Sequence, residues 1–208
     1  MSITAALQWR YAAKRMNGTK IPESKMDVIL DAIALAPSSF GLQPYSVLIV
    51  ENKELLEKIK PIAYSQPQIT EASALVVFAA WDKLTKERIS IYVNQIAQER
   101  GIALETLAPV REQLESQLAN SDADNFNWHA KQTYIALAIG LVAAAEQKVD
   151  STPMEGFNSL LLDDLLQLQE RGLRSTVIMA LGYRDVKNDY LVNLKKIRRP
   201  KDALFIHL

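Results

Sequence analysis

The chain has 208 residues, of which 49% are hydrophobic and 23% charged, and its 24 Lys plus Arg balance 24 Asp plus Glu. That composition excludes intrinsic disorder, and zero net charge gives no electrostatic drive toward nucleic acid or an anionic membrane, so neither partner is expected. With no cysteine, disulfides, thiolate metal ligands and cysteine nucleophiles are excluded as well.

In chain order, Met1–Arg10 lacks a basic stretch followed by an apolar core and is read as mature sequence, with a cytoplasmic location as the default. Residues 3–15 are predicted as a first helix. Glu23–Ala36 is a second, with Met26, Ile29, Leu30, Ile33 and Ala34 on one apolar face and Pro37 as its stop. Ser46–Val50 is a short β-branched run and is predicted as a strand, followed by an amphipathic helix over Asn52–Ile62. Ala74–Ala80 reads as a buried strand. Lys83–Arg100 and Glu105–Asn120 then read as two polar-faced helices separated by Gly101, an excursion from the strand–helix alternation. Asn125–Val149 is predicted as a long central helix with Asn125 or Asn127 as its N-cap. Its apolar run, Tyr134–Ala145, is shorter than the roughly 20 residues needed to cross a bilayer, so a buried helix is expected. Ser175–Leu181 is a third strand, ended by Gly182. After Asp185 comes an unpatterned tail carrying Lys195-Lys-Ile-Arg-Arg199. The expected product is one α+β domain over residues 1–208, a small sheet covered by long helices. A tail that long without periodicity is expected to pack against a partner chain.

The side chains narrow the chemistry. His129 and His207 are the only histidines, too few for an imidazole metal site or a Ser-His-Asp relay, and no metal is expected. The seven glycines form neither G-x-G-x-x-G nor a phosphate-binding P-loop, so a nucleotide-like cofactor would have to be held by cationic side chains. Arg10 and Lys14 stand four apart on the predicted first helix and share a face, while Lys196 and Arg198 alternate by two in an extended tail. Each pair alone reads as a solvated basic face; together they form a candidate phosphate clamp. Ala36-Pro-Ser-Ser-Phe-Gly-Leu-Gln-Pro44 is turn-rich and is either a capping loop or a ligand loop. Pro153-Met-Glu-Gly-Phe157 reads as a loop whose backbone N–H groups are free to meet the edge of an aromatic cofactor.

Taken in register with Arg10-Tyr-Ala-Ala-Lys14 and Lys196-Ile-Arg-Arg-Pro200, these blocks resemble the landmarks of the nitroreductase family, FMN-dependent oxidoreductases that work as homodimers. The resemblance implies a nitroreductase-like α+β fold: a small, mostly antiparallel sheet, a long central helix and a C-terminal tail exchanged across a dimer. It implies an FMN site drawn from Arg10, Tyr11, Ala12 and Lys14, with Arg10 on the phosphate and Lys14 near the flavin pyrimidine edge. Pro37, Ser38, Ser39 and Gly41 would pass the phosphate and ring, with Ser65 and Gln68 nearby. Pro153, Met154, Glu155 and Gly156 would lie along the flavin and offer main-chain N–H groups to its N5 and O4 side, and Lys196 and Arg198 would complete the phosphate clamp.

The sequence departs from the family pattern at several of these positions. Ala12 stands where many relatives have serine, and Gly41 where they often have asparagine. Ser65 and Gln68 stand where relatives often have an asparagine and sometimes a lysine. With Lys14 the one positive group near the pyrimidine edge, reduced flavin is expected to be stabilised less than in lysine-rich relatives. The implied reaction is ping-pong, NADH or NADPH delivering hydride to flavin N5 before a nitroaromatic or quinone-like acceptor takes the electrons. Enoyl reduction, dehalogenation and flavin fragmentation are same-fold alternatives, and a non-catalytic dimeric binding module is a third reading. The excursion over residues 83–120 would cover the pocket, with Tyr64, Phe126 and Trp128 as aromatic neighbours of the acceptor. The tail and the stretch Trp128–Ala145 are candidates for dimer contacts, the alternative being a helix buried within one subunit.

Overall fold

The computed structural model describes residues 2–208. Four strands, β1 (Tyr45–Val50), β2 (Ala74–Trp81), β3 (Asp150–Met154) and β4 (Leu173–Gly182), form one sheet in the order β1-β2-β4-β3, with every neighbouring pair antiparallel. The runs read as strands become β1, β2 and β4; β2 is buried along almost its whole length, which is why its sequence is continuously apolar rather than alternating. The reading of Pro153 and Met154 as loop is corrected: both belong to β3, where Pro153 stands opposite Met179. Proline is accommodated there because β3 is an edge strand, with no second ladder to supply.

The described helices are α1 (Ile3–Trp9), α2 (Glu23–Ala34), α3 (Lys53–Ile62), α4 (Gln68–Glu71), α5 (Lys86–Arg100), α6 (Ala108–Ser116), α7 (Asp122–Glu146), α8 (Ser159–Leu165) and α9 (Lys201–Leu204). One sheet face packs Met26, Ile29 and Ile33 of α2 and Ala136, Leu137 and Ala144 of α7 against Val76, Phe78, Val177 and Met179. The other packs Leu56 and Ile59 of α3, Ile69 of α4 and Leu162 of α8 against Leu75, Val77, Ile178 and Ala180. Each such large side chain contributes about 1.5–3 kcal/mol on burial, so this double-faced core is what positions the sheet edges. A Cβ at Gly140 would stand 2.9 Å from Ile33 Cγ1, so α7 lies against α2 because that position carries no side chain. The excursion has a core of its own, Leu84, Ile89, Val93, Leu107 and Leu114, under Leu42.

Several helix limits differ from expectation. α1 stops at Trp9, and Arg10 is extended at φ −72° and ψ 143°, so Arg10 and Lys14 do not share a helix face. α7 starts at Asp122 with Ser121 as its cap, Oγ accepting the Asp124 N–H at 3.1 Å, and Asp122 and Asp124 meet the positive end of the helix dipole. Asn125, expected as a cap, is instead buried in the first turns and donates to the Gln117 carbonyl at 3.0 Å. Nor is α7 buried on all sides: Tyr134 and Ile135 are each 39% exposed and Ile139 is 37% exposed, forming a stripe along one face.

Candidate functional site

Residues 10–17 leave α1 as an extended segment because tertiary hydrogen bonds outweigh its local helix propensity. Arg10 Nη2 donates to the Ser151 carbonyl at 3.3 Å, and Thr152 Oγ1 donates to the Ala13 carbonyl at 2.7 Å, tying the segment to β3. Further on, Met16 bridges Arg184 and the Asn17 N–H reaches the Tyr183 carbonyl at 2.9 Å. Asp189 holds the middle. Its buried carboxylate accepts from the Tyr11 hydroxyl at 3.0 Å, the Lys14 N–H at 2.9 Å and the Leu191 N–H at 2.9 Å. Burial first, and then the bond to Asp189, pushes the Tyr11 phenol up, keeping it a donor. Beside it, Arg184 pairs with buried Asp150 through Nε at 2.8 Å, and its guanidinium lies over the Trp9 and Tyr11 rings at 4.4 and 4.5 Å.

This framework builds a cavity of ≈480 Å³ whose walls include Arg10, Tyr11, Ala12, Pro153, Lys196 and Arg198. Two of the predicted cationic residues on the tail thus meet the N-terminal arginine, 186 and 188 positions away. The Arg10 guanidinium is half-buried, and its Nε is buried with no partner among the described residues. Burial pushes the Arg10 pKa down, and Arg198 pushes it further. Lys196 is lowered in the same way, by burial and then by Arg10 and Arg198. Its ammonium donates to the carbonyls of Leu7, Gln8 and Arg10, the open acceptors at the C-terminal end of α1. Lys196 therefore pins the tail to α1 as well as adding charge to the cavity. An unpaired buried donor among mutually repelling cations fits a multiply charged anion such as a phosphate.

Pro153 also lines a neighbouring cavity of ≈420 Å³ formed with Tyr134, Leu137, Met154, Glu155 and Val177. The two cavities share Pro153 of the edge strand. Past the end of β3 the chain turns, with the Phe157 N–H on the Glu155 carbonyl at 2.9 Å and Gln66 Nε2 on the Gly156 carbonyl at 2.8 Å. Among the described residues neither the Glu155 nor the Gly156 N–H has an acceptor. The Met154 side chain packs into the core beneath the sheet.

The remaining predicted residues fall into two groups. Tyr64 and Ser65, both at left-handed φ of 52° and 57°, end α3 beside Gly156, and Gln68 is buried with its Oε1 unpartnered. Lys14 is half-buried and does not line the cation cavity. Pro37, Ser38, Ser39 and Gly41 do not line it either. They form a loop against the N-terminal half of α7, where the Ser39 N–H donates to Gln132 Oε1 at 2.8 Å and the Phe40 ring meets Trp128 edge-on at 6.0 Å. Phe126, also in this half of α7, lies under the Arg174 guanidinium at 3.9 Å. Sequence reading missed Asp150, Arg184, Asp189, Gln66 and Tyr134. Asp189 and Arg184 carry no local signal, since their partners are remote in sequence.

Among the described residues no cluster of His, Asp or Glu is arranged to hold a metal ion, and no helix is long and apolar enough to cross a membrane. His129 is buried with Nδ1 on the Trp81 carbonyl at 3.0 Å, and burial pushes its pKa down. Fold and site together define an α+β protein that presents a cationic cavity at the edge of a four-stranded antiparallel sheet. The chain belongs to the nitroreductase family, whose model matches residues 7–183.

Its relatives agree. A Staphylococcus saprophyticus protein provisionally named an NAD(P)H nitroreductase is 32% identical, covering 98% of this chain and 95% of its own. A Bacillus subtilis protein with the same provisional name is 31% identical, covering 88% of each. Among solved structures, a provisionally described nitroreductase from Exiguobacterium sibiricum in complex with FMN superposes with a TM-score of 0.83 at 17% identity, covering 100% of this chain and 98% of its own. An enone reductase of gut-bacterial fatty acid saturation superposes with a TM-score of 0.81 at 18% identity, covering 100% and 98%. At those identities the structures bear on the fold.

Proposed function

We propose that residues 1–208 act as one FMN-binding domain of a cytoplasmic homodimeric oxidoreductase that uses NADH or NADPH to reduce nitroaromatic or quinone-like acceptors. The observation that carries this reading is half-buried Arg10, its Nε unpartnered, facing Lys196 and Arg198 in a cavity that shares Pro153 with the neighbouring one lined by Tyr134 and Glu155. Family membership and the NAD(P)H nitroreductase names of the relatives support it. When bound, FMN supplies the redox chemistry, taking hydride from the nicotinamide and passing electrons to the acceptor. Arg10 and Arg198 hold the phosphate, and Lys196 keeps the tail in place beside it. The free N–H groups of Glu155 and Gly156 hydrogen-bond the ring edge, and Lys14 adds positive charge to that end of the site. No side chain is required as a nucleophile.

The homodimer has three supports. The stripe of Tyr134, Ile135 and Ile139 leaves α7 partly uncovered in one chain. The Pro37–Gly41 loop stands apart from the cation cavity of its own chain, as a loop that serves a second subunit's site would. Leu204, Phe205 and Ile206 of the tail are exposed, and β1 presents a free sheet edge, so tail exchange has both a donor and a receiver. Enone reduction is the second reading, favoured by the fold likeness to the enone reductase.

The test is the visible spectrum of freshly purified protein, followed by anaerobic NADH and then NADPH. Flavin bands that bleach with either nucleotide are expected; kcat/KM for a nitroaromatic, a quinone and an enone then ranks the acceptors. A colourless protein that takes up no added FMN overturns the proposal.

A further inference from the structure

We propose that Tyr134 is a positioning residue: from α7 it holds the Glu155 carboxylate and thereby fixes the turn whose free N–H groups meet the flavin ring. The inference rests on the FMN reading above. The Tyr134 hydroxyl donates to Glu155 Oε1 at 2.5 Å, a long-range bond joining the central helix to the end of the edge strand. Burial, and then Glu155 itself, pushes the Tyr134 phenol up to about 12, so it remains a donor throughout the neutral range.

The turn needs such a tie. Glu155 and Gly156 lie beyond the last ladder pair, Met154 with Ile178, and both are exposed. The Phe157 N–H to Glu155 carbonyl bond is local and cannot set the turn's orientation against the rest of the molecule. Buried Phe157 and the Asn158 N–H on the Ile62 carbonyl at 3.0 Å anchor the chain just past the turn, and two bonds from outside reach Glu155 and Gly156 themselves. Gln66, just past α3, grips the Gly156 carbonyl, and Tyr134 grips the Glu155 side chain from α7. The anchor on α7 is rigid, because the adjacent Thr133 is fully buried and its hydroxyl meets Thr176 of β4 at 2.8 Å. Two unpaired N–H donors, clamped from opposite sides next to a cavity that Tyr134 and Glu155 themselves line, form a preorganised donor pair. The hydrogen bond lies outside the subunit core, at the edge of the α7 stripe that the proposed dimer covers, so its removal leaves that core intact, and each variant should keep the wild-type oligomeric state by light scattering.

The experiment titrates FMN and riboflavin into wild type, Tyr134→Phe, Glu155→Ala, Glu155→Gln and the Tyr134→Phe/Glu155→Ala double variant, and records the bound-flavin spectrum and midpoint potential of each. Tyr134→Phe is expected to weaken FMN and riboflavin alike by about fivefold to tenfold, the scale of one lost hydrogen bond, and to lower the potential. Equal loss for riboflavin separates an effect on the ring from one on the phosphate clamp. Glu155→Ala should match Tyr134→Phe, the double variant should lose no more than either, and Glu155→Gln, whose amide oxygen still accepts from Tyr134, should recover most of the affinity. Apo-protein melting temperatures should stay together. Wild-type affinity, spectrum and potential in Tyr134→Phe, or additive losses in the double variant, overturn the assignment. A wild-type chain that takes up neither flavin overturns the FMN reading and the assignment with it.

Discussion

Replacing Arg198 by alanine tests the proposed phosphate end of the site. Arg198 lines the cation cavity but is itself exposed, and its described hydrogen bond goes to the neighbouring Ile197 carbonyl. The guanidinium is thus available to an incoming anion without breaking a tertiary contact. A hydrogen bond to a charged group is worth about 1.5–3 kcal/mol net, and solvent screening places Arg198 at the low end. About 1.4 kcal/mol corresponds to a tenfold rise in the FMN Kd. Arg10, half-buried with an unpartnered Nε, belongs at the high end, so about 3 kcal/mol, or roughly a hundredfold, is expected for Arg10→Ala. Because Arg198 lowers the pKa of both Arg10 and Lys196, its removal relieves repulsion in the ligand-free protein, which should melt no lower than wild type. The assay is calorimetric titration with FMN and with riboflavin at low and moderate salt. Riboflavin, lacking the phosphate, should bind Arg198→Ala as it binds wild type. Unchanged FMN affinity, or an equal loss for both flavins, would refute the clamp.

Asp189→Ala leaves the Tyr11 hydroxyl and the Lys14 N–H without their acceptor, so a loss of about 1–3 kcal/mol in thermal or urea unfolding is expected, together with weaker FMN binding. His129 has a folded pKa below its unfolded value of 6.5, so its contribution to stability is complete above pH 6.5 and declines as the pH falls toward the folded pKa. The melting temperature should drop over that interval, and His129→Gln should flatten the drop; an unaltered slope would exclude His129 as its source. Removal of residues 201–208, which spares Asp189, Lys196 and Arg198, should convert the proposed dimer toward monomer by size-exclusion chromatography with light scattering. A dimer of unchanged stability would rule out exchange of that segment.

The parts of the fold that were legible in the sequence owe their form to burial. β2 and the Val177–Leu181 part of β4 sit between two helical layers, and a strand segment covered on both faces announces itself as an apolar run. α2 carries its core residues at helical spacing, and Pro37 follows it closely. β3 was hidden because it is five residues long and contains a proline, and its pairing with β4 comes from tertiary context rather than from its own composition. α1 was overextended for the opposite reason. Tyr11, Ala12, Ala13 and Lys14 are acceptable helix formers, and nothing local reveals that Asp189, Ser151 and Thr152 claim that backbone. The cap of α7 was readable in principle, since Ser121-Asp-Ala-Asp124 places a hydroxyl three residues before an acid.

Legibility in the site followed a different rule. The sequence pairs Arg10 with Lys14 and Lys196 with Arg198; Arg10, Lys196 and Arg198 line one cavity, while Lys14 does not line it and shares no helix face with Arg10. The tail explains why the convergence survives. Residues 185–200 have no periodicity because no apolar face orders them; their order comes from polar contacts, Asp189 to Tyr11 and Lys14, and Lys196 to the last carbonyls of α1. Periodicity detects buried faces, so a segment fixed by point contacts looks like loose chain until its partners are known. Those anchors hold Lys196 in place and, with it, the backbone that carries Arg198 two residues on. That is the condition a phosphate site requires: charge fixed before the ligand arrives, so that binding does not have to order the chain as well.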